Sequence, residues 1–255
     1  MSEITVLATP DLLQARNLTG YAAAVIDVLR ATSSITTAFS SGCQKLIPAR
    51  SKEQALCEKT RYADAILTGE QGGLKIAGFD LGNSPLEYTP QNVEGRTIVM
   101  TTSNGTRAVL GTAEAGASPV FLCSFLNLTA VARACAQASL REHSSPKGVA
   151  IVCSGEHGQF SLEDFACAGA LVSAIQSHGD FTLDSSARAA SSLYEAFGRD
   201  ALRVLRESPH GQDLIRLGFS RDLEHCAQVG AFDVVPRYSD GSVTLHRTAD
   251  YPHQR

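Results

Sequence analysis

Short apolar runs rich in β-branched residues alternate with amphipathic stretches along most of this chain. That alternation confines it to layered α/β architectures, in which strands buried on both faces are covered by helices. Runs at 5–7, 23–26, 45–48, 65–67, 97–101, 120–122 and 149–153 predict strands, each leading into a helical pattern or a Gly-rich turn. The clearest helix covers about 128–140, with Leu128, Val131, Ala132, Cys135 and Ala138 at helical spacing and Asn127 placed to cap it. A second, 162–175, buries Phe165, Ala168, Leu171, Val172 and Ile175. Beyond Gly179 the pattern is almost continuously helical over 185–229, with breaks at Gly198, Pro209 and Gly218, which predicts a helical cover. From Val234 the expectation is a last strand and a loose terminus.

A chain of 255 residues can form one large domain or two small lobes sharing a cleft. The nearest thing to a boundary is Gly-Ala-Ser-Pro at 116–119, which would give lobes 1–116 and 117–255 and reads equally well as one loop. Apolar residues make up 44%, charged residues 19%, and the net charge is -4, so neither disorder nor a basic nucleic-acid face is indicated. No run is long and apolar enough for a membrane helix, and Met1-Ser2-Glu3-Ile4-Thr5 does not open like a leader, so a cytoplasmic protein is expected. Seven widely spaced cysteines, mostly in apolar segments, read as reduced buried thiols.

In an open α/β sheet, ligands sit beyond the carboxyl ends of strands, where helix N-termini present free amides. Three strand-to-helix turns fit. In Val25-Ile26-Asp27-Val28-Leu29-Arg30-Ala31-Thr32-Ser33-Ser34, Asp27 suits a hard cation, while Arg30 and the hydroxyl cluster around Ser33 suit a phosphate. In Thr101-Thr102-Ser103-Asn104-Gly105-Thr106-Arg107, hydroxyls, an amide and a glycine open a helix, with Arg107 one turn in as a bidentate clamp. In Cys153-Ser154-Gly155-Glu156-His157-Gly158-Gln159-Phe160-Ser161-Leu162-Glu163-Asp164, two glycines follow a strand and two carboxylates open a helix, where they also complement its dipole. A fourth, Gly-rich segment runs from Thr68 to Pro85. Its Ser84 and Glu87 have a capping-box explanation, whereas Glu70 and Lys75 have none. His157 reads as a solvated loop histidine.

Other phosphatase chemistries fail at definite positions. A thiol mechanism needs an Arg six residues after its Cys, where Gln159, Thr129 and Ala49 stand after Cys153, Cys123 and Cys43. A dehalogenase-type site wants a second Asp two residues after the first, where Leu29 stands. There is no Gly-x-x-x-x-Gly-Lys-Ser/Thr loop and no Gly-x-Gly-x-x-Gly fingerprint.

Taken together, Asp27-Val28-Leu29-Arg30-Ala31-Thr32, Gly78-Phe79-Asp80-Leu81-Gly82-Asn83-Ser84-Pro85, Thr101-Thr102-Ser103-Asn104-Gly105-Thr106 and Cys153-Ser154-Gly155 with Glu163-Asp164 resemble the 2-phosphosulfolactate phosphatase family. The likeness runs from about Thr5 through Asp233-Val234-Val235-Pro236. It implies a three-layer αβα fold with a mixed sheet. It also implies an Mg²⁺-dependent enzyme releasing phosphate from 2-phosphosulfolactate, a step in coenzyme M formation. Asp27, Glu70 and Asp164 become the expected catalytic carboxylates, and with Glu163 the expected metal ligands. Arg30, Ser33, Lys75, Asn83, Ser103, Asn104, Gly105, Arg107, Ser154 and Gly155 become the expected substrate-binding set. Direct attack by water, activated by Glu70 or Asp164, and attack by Asp27 itself both remain open. So do a phosphatase on another small phosphorylated hydroxy acid, a non-catalytic anion-binding relative, and a homodimer.

Overall fold

The computed structural model describes residues 2–139 and 147–246. The strands are β1 (Ser2–Leu7), β2 (Tyr21–Ile26), β3 (Lys45–Pro48), β4 (Ile66–Gln71), β5 (Leu74–Lys75), β6 (Thr97–Thr101), β7 (Val120–Cys123), β8 (Gly148–Cys153), β9 (Phe181–Leu183), β10 (Pro236–Ser239) and β11 (Ser242–Leu245). The helices between them are α1 (Ala31–Ser40), α2 (Lys52–Arg61), α3 (Pro90–Val93), α4 (Gly105–Glu114), α5 (Leu128–Ser139), α6 (Leu162–Gln176), α7 (Ser185–Ala196), α8 (Ala201–Glu207), α9 (Pro209–Arg216) and α10 (Ser220–Cys226). Among the described residues one 11-stranded mixed sheet forms, in the order β5-β4-β6-β3-β11-β10-β7-β2-β8-β1-β9.

Alternation along the central strands explains the layers. On β2, Ala24 and Ile26 join one core while Ala23 and Val25 join another; Ile151 and Val152 on β8 divide in the same way. Helices α5, α6 and α7 cover the first face through residues such as Val131, Leu171 and Ala190, and α1 and α4 cover the second through Ile35, Phe39 and Val109. Each fully buried Val, Leu or Ile contributes roughly 1.5–3 kcal/mol of transfer free energy. This is the expected three-layer αβα arrangement. A third, smaller core of Ile47, Leu67, Val99, Ala55 and Phe79 holds α2 and the Gly-rich segment against β3, β4 and β6.

Strands β3, β6 and β4 form one parallel block, and β7, β2, β8, β1 and β9 a second. The C-terminal hairpin β10–β11 joins them by antiparallel pairs on each side, Val243 opposite Leu46 and Arg237 opposite Phe121. The expected single last strand is therefore a hairpin, and it lies in the middle of the sheet. The sheet also runs on across residue 116, since β2 pairs with both β7 and β8. The helical run breaks at Gly198 and Gly218, both at positive φ, and at Pro209, the first residue of α9. Asn127 does not cap α5 from the preceding position. It lies in a short 3-10 turn, where its side-chain oxygen accepts Ser124 N–H at 2.9 Å and its NH₂ donates to the Leu122 carbonyl at 3.0 Å. Of the described residues, no helix is long and apolar enough to cross a membrane. All seven cysteines are free, and six of them are buried.

Candidate active site

Strand β2 ends at Ile26, and the turn from Asp27 into α1 is built from its own polar atoms. Asp27 Oδ1 accepts Ala31 N–H at 3.0 Å, Asp27 N–H donates to Thr32 Oγ1 at 3.1 Å, and that hydroxyl donates to Asp27 O at 2.8 Å. Asp27 Oδ2 faces Gly105, where an added Cβ would lie 2.7 Å from it and 2.5 Å from Ala31 Cβ. Gly105 is thus what lets α4 begin against the start of α1. Ser33, expected to bind substrate, turns inward: its hydroxyl donates to Val28 O at 2.8 Å inside the turn.

Asp164, in the first turn of α6, ties two turns together. Its Oδ1 accepts Val28 N–H at 2.9 Å and its Oδ2 accepts Gly155 N–H at 3.1 Å. Each of its oxygens accepts a backbone N–H, and neither Asp164 nor Glu163, Ser154 or Gly155 is on the cavity wall described below. Gly155 is needed where it is, because its φ is 62° and a Cβ would meet Gln159 O at 2.4 Å. Burial raises the Asp164 carboxyl well above its ordinary range, with Asp27 and Glu163 adding to the effect. Glu163 is raised chiefly by burial as well.

The Gly-rich segment brings Glu70, at the end of β4, across to the turn after β6. Glu70 Oε1 accepts Ser103 N–H at 2.8 Å and Oε2 accepts Gly73 N–H at 2.9 Å, so one carboxylate sets the positions of both loops. Arg30 is buried, with Nη1 on Asp222 Oδ2 at 2.8 Å, Nη2 on Gly73 O at 2.5 Å, and its Cζ 4.3 Å above the Phe219 ring. Breaking such a buried pair from one side costs about 3–5 kcal/mol. Ser84, expected to cap a helix, donates instead to Asp222 Oδ1 at 2.7 Å, and Glu87 takes Gly82 N–H at 2.8 Å.

These segments enclose a cavity of about 140 Å³, too small for a nucleotide and suited to a compact polar metabolite. Asp27, Arg30, Glu70, Asn83, Ser103 and Asn104 from the expected set line it. Asn83 is buried, and its Oδ1 lacks a hydrogen-bond partner. Two expected cations lie elsewhere. Lys75 is exposed on β5, 3.4 Å from Asp80 O, and the exposed Arg107 pairs with Asp11 beside a separate surface groove. Neither stands on the wall.

Residues from beyond Gly179 complete it. His210, Asp213, Leu214 and Leu217 come from α9 and its end, facing Glu156 and His157 from the turn after β8. His210 Nδ1 lies 2.9 Å from Glu156 Oε1, and His157 N–H donates to Asn104 Oδ1 at 3.2 Å. The lining therefore holds four carboxylates, Asp27, Glu70, Glu156 and Asp213, against one arginine already paired with Asp222. Burial is the main force pushing Asp27 up to about 6; the Ala31 amide and His210 oppose it, and Glu70 and Glu163 add to it.

The family model for 2-phosphosulpholactate phosphatase matches residues 7–241. The chain belongs to the 2-phosphosulfolactate phosphatase family. A probable 2-phosphosulfolactate phosphatase of Caldanaerobacter subterraneus subsp. tengcongensis is 40% identical over 222 residues, 86% of this chain and 88% of that protein. Its counterpart in Clostridium acetobutylicum is 35% identical over 243 residues, covering 94% and 99%. One in Deinococcus radiodurans is 40% identical over 219 residues, covering 86% and 88%. The 2-phosphosulfolactate phosphatases are phosphoric monoester hydrolases.

Proposed function

We propose that this chain hydrolyses the phosphate monoester of 2-phosphosulfolactate to sulfolactate and phosphate, and that it needs Mg²⁺ to do so. The observation carrying the reading is the meeting of Asp27, Glu70, Arg30, Asn83, Ser103 and Asn104, from three distant segments, on one small polar cavity. The substrate combines phosphate, carboxylate and sulfonate, and it must enter a wall with four carboxylates. A cation is therefore required to make entry favourable.

The residues fit a hard divalent ion. Asp27 and Asn83 both line the cavity, and Asn83 Oδ1 is a buried carbonyl oxygen with nothing to accept from. Asp27 with Asn83 would hold the ion, in keeping with the one or two carboxylates that Mg²⁺ takes beside waters and phosphate. When bound, it supplies charge neutralisation at the phosphoryl oxygens.

The chain's own groups do the rest. The turn into α4 offers the Ser103 hydroxyl and the Asn104 side-chain NH₂ to phosphoryl oxygens from the cavity wall. Buried Arg30 keeps a fixed positive charge against the same wall. A water oxygen forms the new P–O bond as the ester P–O bond breaks. Of the two candidate bases only Glu70 reaches the cavity, so the water's proton goes to a Glu70 oxygen, and the leaving alkoxide regains one from solvent. Leu214 and Leu217 of the C-terminal cover supply the apolar part of the wall.

Steady-state phosphate release tests this with 2-phosphosulfolactate and 2-phospholactate, which lacks the sulfonate. The wild type should prefer the sulfonated ester in kcat/KM, and Asp27→Asn should lose at least about 10³-fold on it. An Asp27→Asn chain within tenfold of wild type would remove Asp27 from the chemistry, and equal use of both esters would remove the sulfonate.

A further inference from the structure

We propose that Glu156, His210 and Asp213 form a second divalent-metal site on the cavity wall, with a mixed nitrogen and oxygen donor set that takes Zn²⁺ or Co²⁺ in preference to Mg²⁺. Among the described residues, these three bring one carboxylate oxygen, one imidazole nitrogen and another carboxylate oxygen within 4.8 Å of one another. The expected carboxylates Asp27, Glu70, Glu163 and Asp164 make no such group of three. Both oxygens of Glu70 and of Asp164 already receive backbone N–H groups.

The placement comes from two elements. His210 and Asp213 stand three apart near the start of α9, so they share one face of that helix. Glu156 reaches them from the turn after β8, where Gly155 at positive φ redirects the backbone. All three side chains are partly exposed, so a hydrated ion has access. Binding exchanges the His210 Nδ1–Glu156 Oε1 contact of 2.9 Å for metal bonds and frees Asp213 from Arg216, an exposed partner able to swing away.

The charge of the cavity wall points the same way. Four carboxylates line it against Arg30, whose charge Asp222 already balances. One divalent ion at Asp27 leaves the wall still acidic, and a second at the triad brings it to balance. The charge step rests on the phosphatase reading, whereas the convergence of ligand atoms does not. Three protein ligands including an imidazole, with a position left open, suit a borderline ion, and Mg²⁺ prefers oxygen alone.

Cobalt alone is the probe. Metal-free full-length protein is titrated with Co²⁺ while its visible absorption is followed, first without and then with excess Mg²⁺. The expected result is a Co²⁺ signal that persists in Mg²⁺ and in Asp27→Asn. Changes in the outer shell alone cost about 10- to 100-fold in affinity, so His210→Gln should weaken Co²⁺ binding by at least roughly 100-fold. Glu156→Gln, which keeps the imidazole, should weaken it too, with both variants melting as cooperatively as wild type. A His210→Gln titration matching wild type, or loss of the signal in Asp27→Asn, overturns the site. Phosphate release with Mg²⁺ is a separate readout. A chain that binds Co²⁺ through His210 without hydrolysing the ester keeps this site and loses the activity reading, and the converse holds.

Discussion

Asp27 divides its carboxylate between two neighbours: Oδ1 closes the first turn of α1, and Oδ2 lies against Gly105 at the start of α4. Its folded pKa of about 6 lies above the ordinary 3.8, with burial as the main cause, so the folded chain keeps a proton that the unfolded chain has released. Folding stability contributed by this group is therefore lost as pH rises from about 4, and the full penalty is in place above about 6. The gap corresponds to about 3 kcal/mol. Because Asn keeps an acceptor for Ala31 N–H, Asp27→Asn should stabilise the metal-free protein by about 3 kcal/mol at pH 8 and by almost nothing at pH 4. Urea unfolding at the two pH values checks this, and an equal gain at both would refute it. At this scale the residues legible in the sequence were those at or just beyond strand ends, such as Asp27, Glu70 and Asn104. Ser33, Asp164 and Arg107 misled because Val28, Gly155 and Asp11, far away or hidden in the turn, take up their polar atoms.

At the scale of elements, the site depends on two helix starts touching at Gly105. Gly105→Ala would push Ala31 and the Asp27 carboxylate away, since the new Cβ would lie 2.5 and 2.7 Å from them. A displacement near 1 Å can cost about 10²-fold in rate. The expectation is a loss of that order in kcat/KM with a cooperative melt retained; unchanged kinetics would show that the approach is not functional. Strands buried on both faces were legible because their apolar runs are short, β-branched and bounded by turns. Helix α9 was legible as a helix and not as a wall of the site. The His210-x-x-Asp213 spacing is present in the sequence, yet only tertiary packing turns that face toward Glu156.

For the molecule as a whole, the two parallel blocks meet through the hairpin β10–β11, and the cavity gathers residues from 27 to 217. No local pattern announces that a polar C-terminal segment will enter the centre of a sheet, because its partners Leu46 and Phe121 lie far back in the chain. The central claim is that an acidic cavity assembled from these distant segments accepts an anionic ester only with a divalent cation. Phosphate release from 2-phosphosulfolactate by chelator-treated full-length protein, followed during Mg²⁺ addition, tests it most directly. The account predicts negligible turnover without the ion and saturable activation that Asp27→Asn abolishes. Equal turnover in the presence of chelator, or no turnover at any Mg²⁺ concentration, would contradict it.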